Sequence, residues 1–156
     1  MDARRLHLLI IAYGNELRGD DGAGPALGHY LERYPVAGAT VVVRHQLVPE
    51  LAENLSRADY AVFADARTPD NDPKPHLRRL RSRQGTLTGI GHVSDPGDLL
   101  AMTGAVYGRV PECWVLSLPT VSMEIGESLT PTARNGVRRA AGMIRRLAKR
   151  VGHGIE

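Results

Sequence analysis

Short apolar runs alternating with stretches of helical period place this chain in the α/β class, as a three-layer αβα sandwich around a mainly parallel sheet. Two observations carry that expectation. Residues 6–12 (Leu-His-Leu-Leu-Ile-Ile-Ala) and 60–64 are nearly continuous apolar runs, the pattern of strands buried on both faces. The stretches between such runs repeat apolar residues three and four apart, so helices serve as the crossovers that parallel strands require.

Taken in order, residues 6–12 form the first strand, and a turn rich in glycine and aspartate follows at 13–24. Leu27, Tyr30, Leu31 and Tyr34 then recur at helical spacing, with Pro25 suited to the first helical turn. Val41-Val42-Val43 reads as a second strand, and residues 49–55 as a short helix with Leu51 and Leu55 on one face. The third strand, 60–64, ends at Asp65. Residues 70–75, with two prolines and an asparagine, form a loop, and 76–80 a short edge strand. Residues 95–102 are helical in pattern, and 114–118 form another apolar strand. From Thr130 onward, Ala133, Val137, Ala140, Ala141, Ile144, Leu147 and Val151 mark one apolar stripe, with Pro131 near its start. No repeat or linker divides residues 1–156, so one domain is expected.

Composition narrows the function classes. At 156 residues the chain can bury a sizeable core without staples, and 42% hydrophobic with 24% charged residues is ordinary for a soluble globular protein. No apolar stretch is long enough to cross a membrane or to act as a signal peptide, which points to a cytoplasmic protein. The single cysteine, Cys113, excludes an internal disulfide and a cysteine-cluster metal site, and reads as a packed thiol rather than a nucleophile. The net charge of +3 comes mostly from arginines at 78–83 and 134–150. No aromatic residues interleave with them to stack bases, so they read as a solvated face and helix-end cations, with no nucleic-acid partner.

The common hydrolase signatures are missing: there is no Gly-x-Ser-x-Gly and no His-Glu-x-x-His. Gly14, Gly19, Gly22 and Gly24 do not fall on a dinucleotide or phosphate-loop pattern. Polar residues instead gather just after apolar strands, where open α/β sheets place their sites. Asp20 and Asp21 follow the first strand, His45-Gln46 the second and Asp65 the third, while His92 sits in a glycine-flanked loop. Carboxylates with an imidazole suit a divalent ion with open positions, nickel or zinc among them. Each residue also has a structural reading: Asp20 or Asp21 as a helix cap, Asp65 as a turn residue, His92 as a loop histidine bonded to backbone.

Four stretches, in order and spanning most of the chain, resemble the hydrogenase maturation protease family. Ala12-Tyr-Gly-Asn-Glu-Leu-Arg-Gly-Asp-Asp-Gly-Ala-Gly24 is similar to its N-terminal signature, Gly-x-Gly-Asn-x-Leu-x-x-Asp-Asp/Glu-x-x-Gly. Phe63-Ala-Asp-Ala66 resembles its strand ending in a functional aspartate, and Gly91-His92 followed by Asp98-Leu-Leu100 its histidine loop and next helix. Leu118-Pro-Thr-Val-Ser-Met-Glu-Ile-Gly-Glu-Ser-Leu-Thr-Pro131 is similar to the segment before its last helix. Ala12 departs from the pattern by standing where the family has its first glycine, which alters the packing of the turn rather than its chemistry.

The resemblance implies a twisted sheet between helices and an endopeptidase that removes the C-terminal extension of a nickel-iron hydrogenase large subunit after nickel insertion. It assigns catalytic and metal-binding roles to Asp21, Asp65 and His92, with Asp20 as fallback ligand or base. The nickel is expected to arrive with the substrate, and zinc or cadmium to be able to take its place in vitro. The partner implied is the large-subunit precursor, and the state a monomer. A non-proteolytic, nickel-binding assembly chaperone of the same fold is the alternative. His45-Gln46-Leu47 has two readings, substrate contact or structural.

Overall fold

The computed structural model describes residues 7–81 and 93–152. Strand β1 (Leu8–Tyr13) is followed by a 3-10 turn (Gly19–Gly22), helix α1 (Ala23–Arg33), β2 (Ala39–Arg44), α2 (Leu51–Ser56) and β3 (Tyr60–Ala66). Then come β4 (His76–Leu80), α3 (Pro96–Tyr107), β5 (Glu112–Leu118) and α4 (Pro131–Gly152). The five strands form one sheet in the order β2-β1-β3-β5-β4. The pairs β1–β2, β1–β3 and β3–β5 are parallel, and β4 closes one edge antiparallel to β5. The expected α/β sandwich with a mainly parallel sheet is therefore the fold observed.

Side-chain alternation along the strands separates two cores. Leu8, Ile10 and Ala12 of β1, with Val62 and Ala64 of β3, face α1 and α4. Leu9 and Ile11, with Ala61 and Phe63, face α2 and α3 on the other side. Both faces of β1 are fully covered, which is why its sequence is apolar without alternation. The stripe expected in α4 is buried at every position named, while Arg138, Arg139, Arg146 and Arg150 lie on its solvent face. Burying side chains such as Ile144 and Leu147 stabilises by about 2 kcal/mol each.

The four residues at helical spacing along α1 and its C-terminal end divide by exposure. Leu27 and Leu31 are buried, but Tyr30 and Tyr34 are 37% and 48% exposed. The two rings lie against each other instead, centroids 5.0 Å apart, with the Arg33 guanidinium over Tyr34. A tyrosine at helical spacing satisfies the period without committing its hydroxyl to a core. Ala12 packs within β1 rather than in the turn: it is fully buried, and a side chain at Gly28 of α1 would come within 3.0 Å of its Cβ. The missing side chain on the helix makes room for the extra methyl on the strand.

At the other edge of the sheet, β2 turns Val41 and Val43 toward α1 at Gly28 and buries Val42 in the core under α2. The Arg44 carbonyl accepts from Gly14 of β1's extension, so the Val43 carbonyl points away from the sheet. It is taken by the Arg44 guanidinium at 2.8 Å.

Candidate active site

Connections determine where this sheet opens. After β1 the chain turns onto the face covered by α1, whereas α2, which follows β2, and α3, which precedes β5, lie on the opposite face. The strand order therefore reverses direction between β1 and β3, and a crevice forms outside their carboxyl ends. A cleft of about 530 Å³ occupies that place, lined by Tyr13, Asp21 and Asp65 on one side and residues 45–49 on the other. Asp21 arrives on the turn after β1, and Asp65 is the penultimate residue of β3.

The turn that delivers Asp21 is tightly specified. Gly14 has φ +152°, and a Cβ there would sit 2.1 Å from the Asp21 carbonyl oxygen, so a side chain is excluded on both counts. The Asn15 amide N–H donates to the Asp21 carboxylate at 3.0 Å, and the Asn15 side chain accepts from Leu17 N–H at 2.9 Å. Asp21 is thus aimed at the cleft by the backbone that precedes it. On the far wall, Asp95 caps α3 by accepting from Asp98 N–H at 2.8 Å, and Asp98 accepts from both Ser94 N–H and Ser94 Oγ. Those bonds brace Val93 and Ser94, which also line the cleft.

Electrostatics mark Asp65. Its carboxyl is raised to about 6, mainly by burial and further by the charge of Asp21, although the Tyr13 hydroxyl and the Ala66 N–H pull it down. The Tyr13 phenol is pushed far above its ordinary range by burial first and then by the charge of the neighbouring Asp65. Two carboxylates in one partly dry cleft favour a cation or a shared proton. Such perturbed groups converging in a crevice are the expected signature of a working site.

Asp20 belongs elsewhere. Its carboxylate is fully buried and accepts from Val121 N–H (2.7 Å), Ser122 N–H (3.2 Å), Thr130 N–H (2.7 Å) and Thr130 Oγ1 (2.7 Å). Burial alone would raise its pKa, but these bonds outweigh that and hold it below the usual carboxylate range. Asp20 is therefore neither the fallback ligand nor a base, and α1 has no side-chain cap. It tethers the turn after β1 to Thr130, whose own hydroxyl accepts from Ala133 N–H at the start of α4.

Of the three residues assigned to the site by motif, Asp21 and Asp65 meet in the cleft. His92 lies outside the described residues. Among the described residues, no group of three or more His, Cys, Asp or Glu side chains is placed to hold a metal ion. Asp21 and Asp65 alone make a partial donor set, fitted to a cation that brings other ligands with it. His45, Gln46 and Leu47 line the same cleft, so the segment singled out after β2 is at the site. A second hollow continues from it past Gly14 and His45 toward Leu17 and His29. Cys113 is buried with its thiol pushed up to about 12, a packed group rather than a nucleophile. Arg79 stacks over Trp114 at 5.2 Å and pairs with Glu112, so part of the first arginine cluster serves the edge of the sheet.

The residue missed in the sequence is Tyr13, at the end of β1. The signal was present: counting by two along β1 and β3 puts Tyr13 on the same face as Asp65.

No protein-family model and no curated protein sequence matches the chain. Solved structures do. Three of them share the fold of this chain over nearly its whole length. The hydrogenase maturating endopeptidase HybD from E. coli superposes with a TM-score of 0.74 at 18% identity, covering 94% of both chains. HybD from Thermococcus kodakarensis, described as a [NiFe] hydrogenase maturation protease, gives 0.69 at 22% identity over 92% of this chain and 99% of that one. HycI from Thermococcus kodakarensis KOD1, described in the same way, gives 0.69 at 14% identity over 94% and 95%. At these identities the shared property is the fold.

Proposed function

We propose that this chain is an endopeptidase that removes the C-terminal extension of a nickel-iron hydrogenase large-subunit precursor once nickel has been inserted. The observation that carries the reading is the meeting of Asp21 and Asp65 in a cleft at the strand ends of this particular fold. Neighbours described as maturation endopeptidases support the hydrolase class, and the four motif stretches support the substrate.

In this reading nickel belongs to the substrate. Asp21 and Asp65, with His92, contribute donors that complete the coordination of an ion already held by the precursor, which makes cleavage conditional on metallation. A bound cation would lower the pKa of nearby water and polarise the scissile carbonyl. The protein's own residues supply the remaining chemistry. Before the ion arrives, the Asp65 carboxyl, raised to about 6 mainly by burial, takes up a proton readily near neutral pH, and a cation entering the cleft would displace that proton. The wall at 45–49 offers backbone and side-chain polar groups to an extended peptide. No helix among the described residues is long and apolar enough to cross a membrane.

The test is intact-mass spectrometry of the cognate precursor, nickel-loaded or empty, incubated with the protein and with Asp65→Asn and His92→Ala variants. Loss of a C-terminal peptide only from loaded precursor, and only with both residues intact, is the expected result. A nickel-dependent complex without any mass change would replace the protease by the assembly chaperone.

A further inference from the structure

The two most exposed large apolar side chains among the described residues, Ile125 at 82% and Leu17 at 72%, lie on loops joined to each other. The Gly126 N–H donates to the Leu17 carbonyl at 2.9 Å, and the Asp20 N–H to the Ser122 carbonyl at 2.8 Å. Gly19 lies so close to the second loop that a Cβ there would meet the Ser122 carbonyl oxygen at 2.7 Å. With the Asp20 carboxylate bonded to Val121, Ser122 and Thr130, residues 17–20 and 121–126 form one fixed ledge. Val121, also exposed, stands on it.

A single exposed apolar side chain needs no explanation, but several on one fixed surface do. Burying them would stabilise the chain, yet the bonds that fix the loops keep them in water. Polar residues would serve those bonds equally well, because each bond uses only the backbone of Leu17 and Val121. The place of the ledge in the fold points to what covers it. One turn carries Leu17 onto the ledge and, four residues later, Asp21 into the cleft. The hollow lined by Leu17 shares Gly14 and His45 with that cleft. A folded protein cannot enter a cleft of about 530 Å³, so a precursor presenting a peptide bond to Asp21 and Asp65 rests on the rim, where the ledge stands. The same two loops expose Glu16, Glu124 and Glu127 against one arginine, Arg18. We infer that Leu17, Val121 and Ile125 form the docking surface for the hydrogenase large-subunit precursor, receiving an apolar ridge with basic residues at its margin. The inference rests on the proposed protease reading and deepens it by locating the partner.

The experiment compares a Leu17→Ser/Ile125→Ser double variant with Val106→Ser, which removes a side chain of similar exposure from the end of α3 away from the cleft. Binding of nickel-loaded precursor is measured by biolayer interferometry, and its trimming by mass spectrometry over a range of concentrations. Loss of two central apolar anchors should raise Kd and KM at least about tenfold, at an unchanged melting temperature and with the effect on KM rather than kcat. Val106→Ser should match the unmodified protein. A double variant with Kd and KM within about twofold of the unmodified protein overturns the inference and leaves the protease reading standing. Precursor that is bound but never trimmed, with binding still weakened in the double variant, keeps the docking surface and removes the protease. A dimer of the unmodified protein that the double variant dissolves, with precursor binding unaffected, overturns the inference in favour of a second copy. If the unmodified protein neither binds nor trims the precursor, both readings fail.

Discussion

Replacing Asp20 by alanine should cost far more stability than its place in a surface turn suggests. Its carboxylate is the shared acceptor of three backbone N–H groups and one hydroxyl, all between 2.7 and 3.2 Å. Hydrogen bonds to a charged acceptor contribute about 1.5–3 kcal/mol each, a gross of roughly 6–12 kcal/mol. Taking the carboxylate out of water costs several kcal/mol in return, and removing one side of such a buried arrangement typically costs about 3–5 kcal/mol net. For a chain of this size that is a fall in melting temperature of roughly 8–16 °C. Asp20→Asn should recover less than half, because its amide turns a donor toward a ring of donors. The pH dependence has a definite sign. A carboxyl held below its ordinary range adds stability that is present above the unfolded-state pKa and lost as pH falls through the folded one. The difference between the unmodified protein and Asp20→Ala should therefore shrink in acid. Urea or thermal denaturation monitored by circular dichroism measures all of this. A loss under about 1 kcal/mol would refute the tether, and lost nickel binding at full stability would restore Asp20 as a ligand.

Two further outcomes are expected. Asp65→Asn should abolish trimming yet stabilise the fold. A carboxyl raised to about 6 contributes stability that is fully present below the unfolded-state pKa and lost as pH rises through 6. Discounted for partial exposure, the gain above pH 6 is about 1–2 kcal/mol, read from urea midpoints at pH 4 and 7; a destabilised variant at pH 7 would contradict it. Cys113→Ser should leave trimming intact, and the native thiol should react with a chromogenic disulfide reagent only after unfolding.

The layers of the fold were legible because their physics is local. Residues 6–12 and 60–64 are apolar without alternation since both faces are covered, and the stripe in α4 repeats at a helix period. The site was legible where chain position is informative: Asp21 and Asp65 stand just past strand ends, and in a parallel sheet that is where crevices open. Whether Asp20 or Asp21 faced the cleft was not legible, because the groups that claim Asp20 lie 101 to 110 residues further along the chain. The exposure of Tyr30 and Tyr34 was not legible either, since a helical period states which face a residue occupies but not how far the sheet beneath extends. Tyr13 was hidden by its neighbours: read with the turn, it looked like part of a glycine loop, although it is the last rung of β1.

Three consecutive valines on the outer strand of a sheet would ordinarily invite another chain to add itself there. In this protein the valine run ends in Arg44, whose guanidinium folds back onto the carbonyl that an incoming strand would need. The same cation, brought up against a second copy of itself, repels. The feature sets a charged side chain over one of the outward carbonyls of that edge, the kind of device by which exposed strands are kept from pairing with another chain.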